Sequence, residues 1–270
     1  MRWPTFQTLQ LEGDGGVTWL RFNRPARLNA LTEESFAELA AALRTLRADA
    51  ETRVLVLTGN GRGFCSGSDV QELHKRIDWA AHRQLERLQL LGREVVLGLY
   101  ELPVPTVAAI NGPASGGGLS VALACDMRLA SADATIVCGY TAMGLMPDLG
   151  ATYFLPRIVG RSRACRLLWT NEHLTASQAL AIGLVDDVLP ATELRAGVAG
   201  LASRIAAAPQ LAVRLGRAAL RSASHGSLAA ALEGEAAAQS LCLQSADHRD
   251  SVRAFLEQRN ARKNATSHHG

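Results

Sequence analysis

The chain has 270 residues, with 28 Lys and Arg against 25 Asp and Glu and a formal net charge of +3 with His neutral. At 48% hydrophobic and 20% charged residues, it has the balance of an ordinary globular protein, long enough for one large core or a main domain with a small appendage. With only 5% aromatic residues and its positive charge scattered, a nucleic-acid groove with base-stacking platforms is poorly supported, and no nucleic-acid partner is expected.

Five cysteines (65, 125, 138, 165 and 242) form an odd set without CxxC or Cys/His zinc spacing. That argues for free thiols in a reducing, cytoplasmic setting and for no metal site. The start MRWPTFQTLQLEG lacks an apolar signal core, and no apolar run approaches the ~18 residues of a membrane helix, so no membrane association is expected.

In chain order, residues 7–12 and 17–22 alternate apolar and polar side chains around Gly13-Asp14-Gly15-Gly16, which predicts a hairpin. From Thr32 the period becomes helical, with Phe36, Leu39, Ala40, Leu43 and Leu46 on one stripe, Thr32 as N-cap and Glu33-Glu34 in the first turn. Val54 to Thr58 is a continuous apolar run, the mark of a strand buried on both faces. A helical stretch from His82 to Leu99, a strand over 106–110 and a helix opening at Gly117 follow. Short strands are expected at 127–130 and 135–137, helices after Ser162 and over 176–182, and a strand over 185–188. Alternating strands and helices imply an α/β core of parallel strands. After Pro190 the pattern is helical, with breaks at Pro209 and 222–226 and an apolar stripe of Leu211, Leu215, Ala218 and Ala219 for packing on the core or on a neighbouring subunit. The expected organisation is a core over 1–200, a helical region over 201–265 and a disordered tail over 266–270. Residues 260–270, His268-His269 included, read as a frayed end.

Three glycine clusters invite comparison with nucleotide loops, but GNGRGF at 59–64 lacks the last glycine of GxGxxG and no GxxxxGK[ST] occurs. Gly63-Phe64-Cys65-Ser66-Gly67 matches a cysteine form of the nucleophile elbow. The intervening 59–62 segment and the want of a local His partner make Cys65 structural rather than catalytic. The richest segment, TVAAINGPASGGGLSVALACD at 106–126, runs a buried strand into tandem glycines and then an apolar helix. Glycines there expose backbone N–H groups at a helix N-terminus, the makings of an oxyanion hole for a thioester, although glycines that merely allow close helix packing would look the same. The loop GRGFCSGSDV at 61–70 also follows a buried strand, so two donor loops can face each other at the carboxyl ends of parallel strands.

Four motifs in order, NRPARLNAL (23–31), FCSGSD (64–69), AINGPASGGGLSVALACDMRLASADA (109–134) and GLMPDLGATYFLPRIVG (144–160), give the chain a resemblance to the enoyl-CoA hydratase/isomerase (crotonase) superfamily over nearly its whole length. The resemblance implies a spiral of ββα turns, C-terminal helices that build a homotrimer or a dimer of trimers, and a small-molecule acyl-CoA thioester as ligand. It implies no cofactor apart from the coenzyme A of the substrate. It places the oxyanion-hole amides on Ser68 and Gly117 and the CoA contacts around Arg27, Leu28, Ala30, Ser66 and Asp69, with Phe255 near a neighbouring subunit's CoA.

The departures from that pattern bear on the chemistry. The two glutamates of the family's hydratases fall on Ser120 and Tyr140, which are poor groups for activating water. Asp148 lies where certain members carry an acid/base or nucleophile, flanked by Met143, Leu145 and Met146, whose desolvation would raise its pKa unless Arg157 compensates. Capping a helix beginning near Gly150 is the plain alternative for that aspartate. A lone carboxylate beside an oxyanion hole suits a Δ3,Δ2-enoyl-CoA isomerase, with Tyr140 lining the acyl pocket or orienting Asp148, and the phenylacetate ring-isomerase branch is also similar. Alternatives are a hydratase working without the glutamates, a 4-chlorobenzoyl-CoA dehalogenase-like enzyme with Asp148 as nucleophile but Arg93 at the position of its water-activating His, and an inactive CoA-thioester binding homologue.

Overall fold

The computed structural model describes residues 3–267, in two compact units that meet in sequence at Ala206 and Ala207. The first unit opens with the hairpin of β1 (Leu9–Asp14) and β2 (Val17–Phe22), closed by Gly15 and Gly16, both at positive φ. Helix α1 (Glu33–Ala48) follows and buries Phe36, Leu39, Ala40, Leu43 and Leu46, the stripe read from the sequence. The chain continues through β3 (Val54–Gly59), α2 (Val70–Lys75) and α3 (Ala81–Leu91). A π-helical stretch, Gly92–Leu97, joins α3 to the short α4 (Gly98–Tyr100). Next come β4 (Thr106–Ile110), β5 (Ala114–Ser115), α5 (Gly116–Leu123), β6 (Met127–Ser131) and β7 (Thr135–Val137). The unit ends with α6 (Ala151–Val159), α7 (Arg161–Thr170), β8 (Leu174–Thr175), α8 (Ala176–Ala181), β9 (Asp187–Leu189) and α9 (Leu194–Ala207).

The main sheet has the order β1-β2-β3-β4-β6-β9, antiparallel only in the opening hairpin. A small second sheet, β5-β7-β8, stands beside it. One face of the main sheet carries Leu20, Leu55, Leu57, Ala108 and Ile110 into the large core with α1 and α5. The other face carries Val17, Val54, Val56, Val107, Ala109 and Leu129 against Leu194, Val198, Ala202 and Ala206 of α9. Burial on both faces is why β3 and β4 read as unbroken apolar runs.

Several boundaries differ from the sequence reading, among them that of β1, which spans Leu9–Asp14 rather than 7–12. The last strand is β9 at 187–189 rather than 185–188, because Leu184 and Val185 are buried in the core directly after α8 and pairing with β6 begins only at Asp187. The helix that begins with the glycine triplet opens at Gly116, not Gly117, with Ser115 as N-cap residue.

The second unit consists of α10 (Gln210–Ala223), α11 (Leu228–Gln244) and α12 (Ala246–Ser267). Helix α12 runs through Ser267, so the backbone of 260–267 is helical where the sequence suggests fraying and a tail from 266. Residues 268–270, with His268-His269, lie outside the described residues. The unit leaves Leu220, Leu228, Leu232, Leu241, Leu243 and Phe255 exposed, and Leu211 of the expected stripe as well. Among the described residues no single helix is long and apolar enough to cross a membrane.

Two asparagines pin the loop after β3. Asn29 is 1% exposed with φ 58, a left-handed conformation that Asn tolerates better than most residues. Its Nδ2 donates to the carbonyls of Asn60 (3.0 Å) and Gly63 (2.8 Å), and its Oδ1 accepts from the Arg24 N–H (2.9 Å). Asn111 accepts from the Gly59 N–H at 3.0 Å and donates to the Gly61 carbonyl at 3.0 Å. Replacing Asn29 by Ala strands these backbone groups and is expected to cost about 2–3 kcal/mol, measured by urea unfolding. Thr32, whose Oγ1 accepts from the Ser35 N–H at 3.1 Å, is a lone cap on one orphan amide. Thr32→Ala is expected to cost only about 1 kcal/mol in the same measurement.

Candidate active site

Neighbouring strands β3 and β4 deliver two loops, 60–69 and 111–115, to the same end of the sheet. Main-chain hydrogen bonds stitch the loops together. Phe64 and Cys65 N–H donate to the Pro113 carbonyl at 3.1 and 3.2 Å, and the Cys65 carbonyl accepts from the Ser115 N–H at 3.0 Å. Gly67, at φ 90, lies so close to the second loop that a Cβ there would sit 2.8 Å from the Ser115 carbonyl oxygen and 3.4 Å from the Gly117 nitrogen. Only glycine satisfies both the conformation and the spacing. Gly118 has a packing role, since any side chain there would strike the Cys65 carbonyl and sulfur.

This arrangement leaves two amides without acceptors. Leu31 pairs with this loop through the Gly67 carbonyl (2.8 Å) and the Asp69 N–H (2.9 Å), which passes over the Ser68 N–H. Gly116 spends its N–H on the Cys138 carbonyl at 3.0 Å, but Gly117, in the first turn of α5, has no helical acceptor. Among the described residues neither the Ser68 nor the Gly117 N–H finds a partner. The α5 dipole adds positive potential at Gly117, so the pair can receive developing negative charge on an oxygen.

Beside the amides, Ser120, Tyr140 and Asp148 converge from α5, the turn after β7 and the segment before α6. Ser120 Oγ can donate to the Asp148 carbonyl at 3.1 Å. The Tyr140 hydroxyl lies 2.5 Å from Ser120 Oγ, a hydrogen bond that either hydroxyl can donate, and 3.4 Å from the Asp148 carbonyl. Burial and the Asp148 charge push the Tyr140 phenol above its ordinary range, so it stays protonated and serves as a donor, not a base. The Asp148 carbonyl also accepts the Ala151 N–H at 3.0 Å. Leu149 follows at φ 48, a left-handed backbone that costs a branched side chain roughly 1–2 kcal/mol. Its Cδ1 lies 3.1 Å from where a Cβ of Gly117 would stand, so this strained residue packs directly on the amide pair.

Asp148 does not cap α6: Gly150 is the N-cap residue and no side chain bonds the first turn. Its carboxyl is pushed above the usual carboxylate range by burial, with the Arg87 charge as the main opposing influence. The desolvation does not come from the expected flank, because Met143, Leu145 and Met146 point outward, Met146 being 75% exposed. Nor does Arg157 compensate it. That guanidinium stacks on Tyr153 at 3.7 Å and donates to the Tyr153 carbonyl at 2.9 Å.

Cys65 is fully buried and its thiol is pushed up to about 12, which fits a structural residue. Arg93 lies exposed on the π-helical stretch. Among the described residues no three His, Cys, Asp or Glu side chains converge in a way that could hold a metal ion.

The segment expected to contact CoA forms one surface loop. Arg27 is exposed, Leu28 and Ala30 are half-buried, and Ser66 N–H donates to the Leu28 carbonyl at 3.0 Å. Asp69 is nearly enclosed, with one carboxyl oxygen taking Arg24 at 3.0 Å and the other capping α2 through the Gln71 N–H at 3.0 Å. Burial alone would raise its pKa, but Arg24 and the cap hold it below the usual range. Asp69 therefore ties the loop to α2 and is engaged within the chain. Phe255 belongs to the second unit, where it is 65% exposed on α12.

Sequence reading missed Arg87, Arg24, Asn29 and Leu149. Asn29 stood inside a recognised motif without a role, and only its left-handed backbone reveals the latch it makes. No periodicity signals Arg87.

The model of the family described as enoyl-CoA hydratase/isomerase matches residues 12–264. The 1,2-epoxyphenylacetyl-CoA isomerase of Escherichia coli is 36% identical over 90% of this chain and 93% of its own length. The crotonyl-CoA hydratase of Syntrophomonas wolfei is 33% identical over 95% of this chain and 97% of its own. The crystal structure of an enoyl-CoA hydratase/isomerase from Cupriavidus metallidurans superposes with a TM-score of 0.89 at 32% identity, covering 95% of this chain and 96% of that one. Crotonase-fold neighbours account for the mixed α/β architecture, and names of both isomerases and hydratases occur among the relatives. A parallel-sheet core that holds two free amides beside the Gly117 turn, and a family match running nearly end to end, lead to one conclusion: this chain belongs to the enoyl-CoA hydratase/isomerase family of acyl-CoA-processing proteins.

Proposed function

We propose that the chain is an enoyl-CoA isomerase in which one aspartate carries a proton along the acyl chain of a 3-enoyl-CoA. The observation that carries this reading is the composition of the site: Asp148 carries a carboxyl raised by burial and directly precedes Leu149, which packs on Gly117, while Ser120 and Tyr140 are bound to each other and to the Asp148 main chain. The CoA portion lies along Arg27, Leu28, Ala30 and Ser66, with Arg27 available to a phosphate.

The Asp148 carboxylate removes a proton from C2 of the substrate. The electron pair spreads through C3 and C4 and onto the thioester oxygen, where the two amides stabilise the charge. The protonated Asp148 then returns the proton to C4, the double bond settles between C2 and C3, and the carboxylate is regenerated. A base raised by burial is matched to this task, because the same group must give back the proton it takes. Tyr140, neutral throughout, holds Ser120 and through it the backbone of Asp148.

Hydration needs one group to activate water and another to manage the C2 proton. Ser120 lacks a basic partner and Tyr140 lacks a lower pKa, so hydration is the weaker reading despite the hydratase names among relatives. Dehalogenation through Asp148 would leave an aryl ester with no water activator, since Arg93 stands exposed where a His would be required. A purely binding homologue has no use for a desolvated carboxylate beside free amides. The exposed leucines of the second unit support assembly as a trimer or dimer of trimers.

With 3-hexenoyl-CoA as substrate, conjugated enoyl-CoA is expected to accumulate in proportion to enzyme, and Asp148→Asn is expected to lower kcat by on the order of 10³-fold or more. Activity unchanged in that variant rejects Asp148 as the base. Activity should fall as pH drops through the raised Asp148 midpoint, because only the anion accepts the C2 proton. Gly67→Ala moves the amide-bearing loop and is expected to reduce kcat by on the order of 10²-fold, with far-UV circular dichroism unaltered.

A further inference from the structure

Among the described residues, Leu28, Asn29, Leu149 and Asn171 carry a side chain on a left-handed backbone. The two asparagines tolerate that conformation, and Leu28 follows the helical turn over 25–27, where it is common. Neither reason applies to Leu149. It stands before a helix, bears a branched side chain and is only 7% exposed. A strained residue of this kind persists where its surroundings over-determine it, and both neighbours of Leu149 are held. The Asp148 carbonyl lies 3.1 Å from Ser120 Oγ and accepts the Ala151 N–H at 3.0 Å. Gly150 is itself left-handed at φ 84, so close to Phe154 that a Cβ there would fall 2.7 Å from its ring.

The strained backbone places one side chain. Leu149 Cδ1 comes 3.1 Å from where a Gly117 Cβ would stand, and the same point is 3.9 Å from Leu31 Cδ1 and 4.0 Å from Ser68 Oγ. Leu149 therefore reaches the junction of the two residues whose amides are free. Gly117 has an ordinary helical backbone, so a methyl there would crowd Leu149, the other two neighbours lying at normal contact distance. Gly117 and Ser120 are three positions apart on α5 and share one face of it. The 148–149 segment is thus fastened to that face twice, by the Asp148 carbonyl at Ser120 and by the Leu149 side chain at Gly117. We propose that Leu149 is a positioning residue, whose side chain seated on Gly117 is the second fastening that fixes where Asp148 stands relative to the amide pair. A segment held at one point pivots about it, whereas two points set both distance and direction. Relaxing the backbone at 149 would carry the side chain off Gly117, so the strained conformation and the contact come together.

This inference rests on Asp148 as the base beside the Ser68 and Gly117 amides, and the test separates the two. Full-length Leu149→Ala, which withdraws the contact, is expected to lose on the order of 10²-fold in kcat with 3-hexenoyl-CoA while KM stays within about threefold of wild type. Leu149→Met, whose unbranched chain can reach Gly117, should recover most of that loss. Hexanoyl-CoA labelled with ¹³C at its thioester carbon has no double bond to move, and its carbonyl resonance reports the amides. On binding, that resonance is expected to shift equally in wild type and Leu149→Ala, because the amides stay in place while the carboxylate drifts. Turnover of Leu149→Ala within about twofold of wild type overturns the proposal, as does a loss confined to KM. So does a Leu149→Met variant no better than Leu149→Ala, or a carbonyl resonance that stays at its free position in Leu149→Ala, which would make Leu149 a support of the amides instead. If Leu149→Ala does not fold, Leu149→Gly, free of the left-handed penalty, decides on the same criteria. Full isomerase activity in Asp148→Asn overturns the base assignment and this inference with it. Activity lost in Asp148→Asn but normal in Leu149→Ala overturns this inference alone.

Discussion

The site depends on one interlock: two glycine-containing loops, from strands that are neighbours in a parallel sheet, pressed together until their backbones nearly touch. Parallel pairing of β3 and β4 brings the loops to one end of the sheet, and burial of both sheet faces keeps those strands from shifting. The close approach at Gly67 places the Ser68 amide beside the Gly117 amide, and the pairing with Leu31 uses Gly67 and Asp69 while leaving Ser68 unbonded. Main-chain donors left without partners are costly. They persist because the surrounding ladder, the asparagine latches and the Asp69–Arg24 pair fix the backbone on every side.

A second constraint concerns charge. Enclosing Asp148 favours its neutral form, whereas the proton abstraction proposed for it requires the anion. The Arg87 charge is the main influence opposing that burial, and Glu33 on α1 holds Arg87 on α3 through its Nε. The main chain of Asp148 is held separately, by Ser120 and by the Ala151 amide, while the left-handed Leu149 turns the chain between them.

The hairpin, α1 with its cap, and the buried strands β3 and β4 were legible in the sequence because each is dictated locally, by period, by a capping threonine or by an unbroken apolar run. The two glycine loops were legible because close backbone approach leaves few residues to choose from. What escaped were features set by contact between distant segments. Asp148 carries apolar neighbours in sequence, but those side chains point away, and its enclosure comes from other elements. Arg157 is near in sequence yet stacks on Tyr153, whereas Arg87 is 61 positions earlier and acts on the site. The start of β9 slipped because a core-filling Leu184-Val185 pair resembles a strand until its hydrogen bonds are known. The outward face of α3 was hidden for a further reason: pattern reading assumes that leucines face inward, and Leu85, Leu88 and Leu90 are exposed.

The location of the acid also bears on how one fold serves different reactions. A carboxylate at position 120 would project from α5, and one at 140 would stand after β7, two supports on either side of a reacting double bond. In this chain those positions hold a serine and a tyrosine that bond each other across 2.5 Å. The carboxylate proposed as acid and base, Asp148, lies instead in the segment before α6. A lone group that must both accept and donate needs no water and gains from a raised pKa, whereas a hydratase needs two groups poised differently. The same amide pair can serve either reaction, since each passes through negative charge on the thioester oxygen. What discriminates between them is the number and placement of carboxylates around that shared oxyanion site, and the fold by itself does not fix it.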